Sequence, residues 1–183
     1  FRGAVGFVAM RFSGRATANQ CTAFVSLLID NRRLGVPEYD RKLLAQSGID
    51  PAKLPELVPL DAIVGMVLPA VAEELGLDRA TRVVTGINDT QCGGLATAAF
   101  GGSHAALSIG STSVMITHVD FKRTDIRHSI VSMPSPVPDT YFVMAENGLA
   151  GAALERFLTN IVYGSDQFSE AAVHDRFAAL QRV

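Results

Sequence analysis

The hydrophobic pattern reads mostly as helix before residue 82 and as β-hairpin after residue 103. Phe1 to Phe12 is apolar, rich in small residues and without a clear period, and Ser13-Gly14-Arg15 reads as a turn. Ala23, Phe24, Leu27, Leu28 and Leu34 form a rough helical stripe. It predicts a helix from Cys21 to Leu34, with Gly35 as its stop. Pro37 opens a second predicted helix, with Leu43 and Leu44 on its buried side and Gly48 at its end. Ile49 to Pro59 carries Pro51, Pro55 and Pro59 and reads as an ordered connector with at most one helical turn. Ile63 to Leu68 reads as a short strand interrupted by Gly65. Pro69 to Leu75 reads as a helix closed by Gly76, and Arg82 to Gly86 as a strand.

The stretch from Val83 to Met115 organises the rest. Its strand ends in Gly86-Ile87-Asn88-Asp89, and a helix of small residues follows from about Thr90 to Phe100, broken by Gly101-Gly102. Two β-runs, His104 to Ile109 and Val114 to Val119, flank the polar turn Gly110-Ser111-Thr112-Ser113. Asp120 to Ser135 is polar and loop-like. Tyr141 to Ala145 then reads as a strand, Leu149 to Asn160 as a helix, and Phe168 to Leu180 as a further helix. The change from helix to hairpin suggests the end of one α/β domain and the start of another, with a boundary near residues 86–100.

Composition narrows the function classes. Sixteen basic and eighteen acidic residues give a net charge of −2, which argues against nucleic acid and anionic membrane as partners. No run approaches the ~20 apolar residues of a membrane span. The two cysteines, Cys21 and Cys92, match no metal or redox spacing and read as reduced thiols. His104, His118, His128 and His174 show no ligand spacing and read as surface or strand residues.

Two places can carry chemistry. Asp89 follows a strand end and opens a helix, where α/β folds place ligands and the helix dipole attracts negative charge. There it can accept a proton from an attacking hydroxyl, or it can simply occupy the first turn of a helix capped by Asn88, with Gln91 completing a capping box. The two roles are compatible. In Gly110-Ser111-Thr112-Ser113, a glycine, successive amides and hydroxyls suit a phosphate cradle as well as an ordinary hairpin turn. The small residues Gly148 to Ala153 permit close approach of a flat ligand or of another helix. No Gly-x-Ser-x-Gly elbow supports a serine hydrolase.

In order, the chain carries Ser13-Gly14-Arg15-Ala16-Thr17, Leu57-Val58-Pro59, Val64-Gly65, Gly86-x-x-Asp89 and Ser108-Ile109-Gly110-Ser111-Thr112-Ser113. This series resembles the middle of an FGGY carbohydrate kinase. The resemblance implies an α/β chain of the ribonuclease H-like, actin-like ATPase fold, containing the end of the first domain (1–88) and the start of the second (89–183). It implies Asp89 as the catalytic acid of a Gly-x-x-Asp corner. It also implies Gly110, Ser111 and Thr112 as a phosphate-binding turn, with Ser111 where the family usually has Thr. Gly148 and Gly151 would lie near the nucleotide, because Gly151, Ala152 and Leu154 match a Gly-Ala-x-Leu segment, with Phe157 near its Trp.

The resemblance further implies ATP and Mg²⁺ as cofactors, the ion held by phosphates and by acids outside this chain. The partner would be a small sugar or polyol, the setting cytoplasmic, and a homodimer is left open. Family chains are far longer, and the first Asp-x-Gly-Thr phosphate loop and the later glycine-rich adenosine motif are not in this sequence. The chain therefore reads as an internal fragment without turnover of its own. Ala18 stands where comparable kinases often carry Asp, which alters the polyol contacts.

Overall fold

The structure, a computed structural model, describes residues 3–100 and 103–162. Its first helix, α1 (Ala4–Ser13), forms from the stretch that shows no period in sequence. No residue of α1 is fully buried; Phe7 and Val8 are more than half exposed, while Val5, Gly6, Ala9, Met10 and Phe12 are half-buried. It meets the body through small residues; the carbonyl of Thr17 lies directly against Gly6. Gly14 ends the helix in a left-handed conformation, its amide donating to the Met10 carbonyl.

The predicted helix from Cys21 to Leu34 is not formed. After β1 (Thr17–Ala18), α2 spans only Gln20–Ala23 and passes into a 3₁₀ turn, Phe24–Ser26. Leu27 then turns left-handed at φ 58°, and Ile29 bridges to Tyr39. The cause is Gln20, whose buried amide donates to the carbonyls of Arg33 and Val36 and accepts from the amide of Gly35. Those bonds fold the 27–36 segment back as a loop. The next helix, α3 (Arg41–Ser47), starts after Pro37 because Asp40 caps it, accepting from the Lys42 and Leu43 amides at 2.9 Å. Leu43 is exposed there, contrary to its expected place on a buried side.

The Pro-rich connector holds one 3₁₀ turn (Pro51–Lys53) and β2 (Glu56–Leu57), which pairs in parallel with β1. β3 (Ile63–Met66) and β4 (Arg82–Val84) pair antiparallel, with a register shift between Ile63 and Gly65. Between them, α4 (Pro69–Leu75) runs as the sequence predicts, from proline to Gly76. α5 (Asp89–Ala96) begins one residue before the predicted start and stops short of Phe100.

The second half is one antiparallel sheet in the order β5-β6-β8-β7, formed by β5 (Ala106–Ile109), β6 (Ser113–Val119), β7 (Ile130–Pro134) and β8 (Tyr141–Asn147). β7 lies inside the segment that reads as loop. It is an edge strand, and an edge tolerates its terminal Pro134. Helix α6 (Gly151–Phe157) and a π turn (Leu158–Val162) follow β8. The predicted helix from Phe168 to Leu180 and the Gly101-Gly102 break lie outside the described residues.

Ala99, Ala106, Ile116, Met133 and Phe142 form the core of this half, and Phe24 packs on it from the first half. α5 approaches the sheet closely because Gly94 has no side chain; His118, Ile116 and Phe142 occupy the space a Cβ would need. His118 is buried on β6, with Nδ1 2.6 Å from the Ala99 carbonyl. The two halves are joined at β7. The Pro134 carbonyl accepts from Gln91 Nε2 at 3.0 Å and from Cys21 Sγ at 3.5 Å, and the Tyr141 hydroxyl donates to the Arg32 carbonyl at 2.9 Å. α5 is therefore held against the sheet through Gly94 and Gln91, and with it the residue that opens it, Asp89.

Candidate active site

Asn88 caps α5, its side-chain oxygen accepting from the Gln91 amide at 2.8 Å. The reciprocal half of a capping box is not formed, because the Gln91 side chain is buried and turned to Pro134. Asp89 is consequently not needed for the cap. It is exposed, and one carboxylate oxygen accepts from the Thr90 amide at 2.8 Å.

Asp89 lines two cavities. The first, of about 540 Å³, also takes Thr17, Ala18, Thr22, Ser26, Tyr39 and Asn88. The Tyr39 hydroxyl donates to the Pro55 carbonyl at 2.9 Å, and burial pushes its pKa up to about 12, so it stays a neutral donor. The second cavity, of about 430 Å³, lies between α5 and the β5–β6 hairpin, where Thr90, Ser108, Gly110, Ser111 and Thr112 join Asp89. The structure thus brings together the acid and the hydroxyl-rich turn that the sequence singles out.

The turn itself is tightly built. The Gly110 amide donates to the Thr112 carbonyl at 2.7 Å, closing the hairpin. The Ala150 and Gly151 amides donate to the carbonyls of Ser111 and Gly110, at 3.0 and 2.8 Å. The amides and hydroxyls of Ser111 and Thr112 have no partner among the described residues, and both residues line the cavity. Donors without acceptors suit phosphate oxygens. Gly151 supports this turn from outside the cavity lining, and a Cβ on it would collide with the Gly110 carbonyl. Gly148 is exposed, with open space about it.

The sequence does not mark Thr22, Ser26 or Tyr39 as cavity residues; Thr22 and Ser26 lie where an unbroken helix is expected, and Tyr39 arrives only after the loop folded around Gln20. Among the described residues no cluster of three or more His, Cys, Asp or Glu is placed to hold a metal ion. No described helix is long and apolar enough to cross a membrane.

The arrangement of sheets, helices and cleft is that of the ribonuclease H-like, actin-like ATPase fold. It aligns with xylulose kinase from Rhodospirillum rubrum at a TM-score of 0.80 and 19% identity, covering 98% of this chain and 34% of that one. It also aligns with gluconate kinase from Lactobacillus acidophilus at a TM-score of 0.77 and 18% identity, covering 90% of this chain and 32% of that one. In sequence, the chain is 26% identical to the xylulose kinase of Bacillus subtilis (strain 168) over 151 residues, which is 82% of this chain and 30% of that protein. Residues 7–96 match the N-terminal domain of the FGGY family of carbohydrate kinases. The family match therefore takes in just under half of this chain. The chain spans about a third of the length of these relatives.

Proposed function

We propose that this chain is the central part of a longer ATP-dependent kinase that phosphorylates a hydroxyl of a sugar, ketose or polyol. One observation carries the reading: Asp89 is shared by a cavity lined with Thr17, Thr22 and Tyr39 and a cavity lined with the Ser111–Thr112 donors. The first suits the acceptor and the second the phosphates of ATP. A carboxylate between them is where a hydroxyl proton must go.

Asp89 accepts the proton as the acceptor oxygen attacks the γ-phosphorus. The bond from that phosphorus to the bridging oxygen breaks, and ADP leaves. General base action of this kind is worth ~10²–10⁴-fold in rate. The amides and hydroxyls of Ser111 and Thr112 hold phosphate oxygens, so that much of the catalysis is positioning and electrostatics. Among the described residues Asp89 is the one carboxylate lining the Ser111–Thr112 cavity, too few to hold a metal ion alone. Mg²⁺ would come with the nucleotide and neutralise phosphate charge, with its remaining ligands outside this chain. Residues 1–88 form the end of the acceptor-side domain and 89–183 the start of the nucleotide-side domain; the change from mixed short strands to one antiparallel sheet supports this division.

The test is ADP release by the full-length protein with MgATP across a panel of pentuloses, hexonates and polyols. At least one should raise the rate well above the acceptor-free background. A protein that binds ATP yet shows no acceptor-dependent release with any of them contradicts the proposal.

A further inference from the structure

We propose that Asn19 is a positioning residue for Asp89, an inference that rests on the kinase reading above. Asn19 is 1% exposed. Its side-chain oxygen caps α2, accepting from the Thr22 amide at 3.1 Å, while its own amide donates to the Thr22 hydroxyl at 3.1 Å. A cap needs only that oxygen, and Ser or Asp would serve equally. The other half of the carboxamide has a separate use. Asn19 Nδ2 donates to the Gly86 carbonyl at 2.9 Å, across 67 residues of sequence.

Gly86 begins the corner that ends in Asp89. The preceding Thr85 is held by the carbonyls of Leu60 and Ala62, and Gly86 itself packs on Val5. Asn19 thus ties this corner to the 17–22 segment, and the two segments both line the acceptor cavity, through Thr17, Ala18 and Thr22 around Asn19 and through Asn88 and Asp89 after Gly86. The Asn19–Gly86 bond therefore sets the distance between the base and the residues that face the acceptor. Displacement by about an ångström in such a geometry costs on the order of 10²-fold in rate.

The test uses the full-length enzyme. Asn19→Ser keeps a capping oxygen and removes the Nδ2 donor. It should lower kcat about ten- to a hundred-fold and leave the KM for ATP within about twofold, with a fall in Tm no larger than that of Asp40→Ala, which removes the cap of α3. Added to Asp89→Asn it should cost nothing further, because its effect passes through Asp89. Where Asn19→Ser folds poorly, the isosteric Asn19→Asp serves, since it keeps the cap and turns an acceptor toward the Gly86 carbonyl. A kcat within about twofold of the native value in either folded variant, while Asp89→Asn is inactive, overturns the positioning role and leaves the kinase reading standing. Full activity in Asp89→Asn overturns the kinase reading itself.

Discussion

The Gly151 amide donates to the Gly110 carbonyl at 2.8 Å, at a place where any side chain on residue 151 would meet that carbonyl. The start of α6 is thus a buttress for the Gly110–Thr112 turn, which we propose holds phosphate. Gly151→Ala must push the turn away, since the obstacle is backbone. We expect the KM for ATP in the full-length enzyme to rise about ten-fold, equivalent to about 1.4 kcal/mol. Gly148→Ala, placed in open space, should change it little. Equal effects at the two glycines in steady-state kinetics would remove the buttress from the account.

Ser111 stands in the turn with its hydroxyl unpartnered among the described residues. Ser111→Ala should weaken ATP binding about five- to ten-fold, the cost of roughly one hydrogen bond. Ser111→Thr keeps the hydroxyl and should bind ATP about as well as the native enzyme. Titration calorimetry with a non-hydrolysable ATP analogue measures both, and an unaffected Ser111→Ala would show that only the backbone amides matter.

Cys21 is buried where the two halves meet, and burial pushes its thiol up to about 12. It stays protonated at pH 8 and out of reach of reagents, whereas Cys92 is exposed on α5. Alkylation followed by peptide mass spectrometry should label Cys92 in the native protein and Cys21 only after denaturation. Comparable labelling of both under native conditions would mean that the Cys21–Pro134 contact opens readily.

Arg32 donates two side-chain hydrogen bonds to Asp30, at 2.8 and 2.9 Å, and these hold the Asp30 carboxyl at about 2. The folded value lies below the ordinary ~3.9. The pair's contribution to stability is therefore complete above that ordinary value and is lost as pH falls through about 2. A carbon-detected NMR titration should find Asp30 still ionised at pH 3. A midpoint near 4 would show that the pair does not persist in solution.

The candidate catalytic residues were legible because their chemistry sits in short contiguous stretches. Gly86 to Asp89 reads as a strand-to-helix corner and Gly110 to Ser113 as a hairpin turn, and both fold so. Helix α4 was legible for the same reason, with proline at its start and glycine after its end. What was not legible depends on contacts distant in sequence. The helical stripe from Ala23 to Leu34 yields to three hydrogen bonds from Gln20. Helix α1 shows no period in sequence because its apolar residues run all round it, Phe7 and Val8 staying exposed while Val5, Met10 and Phe12 are half-buried. Strand β7, Ile130–Pro134, was hidden because it is short and lies between a charged loop and prolines. The cavity proposed for the acceptor inherits this difficulty, since Tyr39 reaches it only after the refolded loop.

The central claim is that Asp89 is the general base of phosphoryl transfer. Asp89→Asn keeps the size of the side chain and an oxygen that can accept from the Thr90 amide, while removing the ability to take a proton. In the full-length enzyme, with its best acceptor and saturating MgATP, the account predicts that kcat falls ~10²–10⁴-fold while ATP still binds. A kcat equal to that of the native enzyme would contradict it.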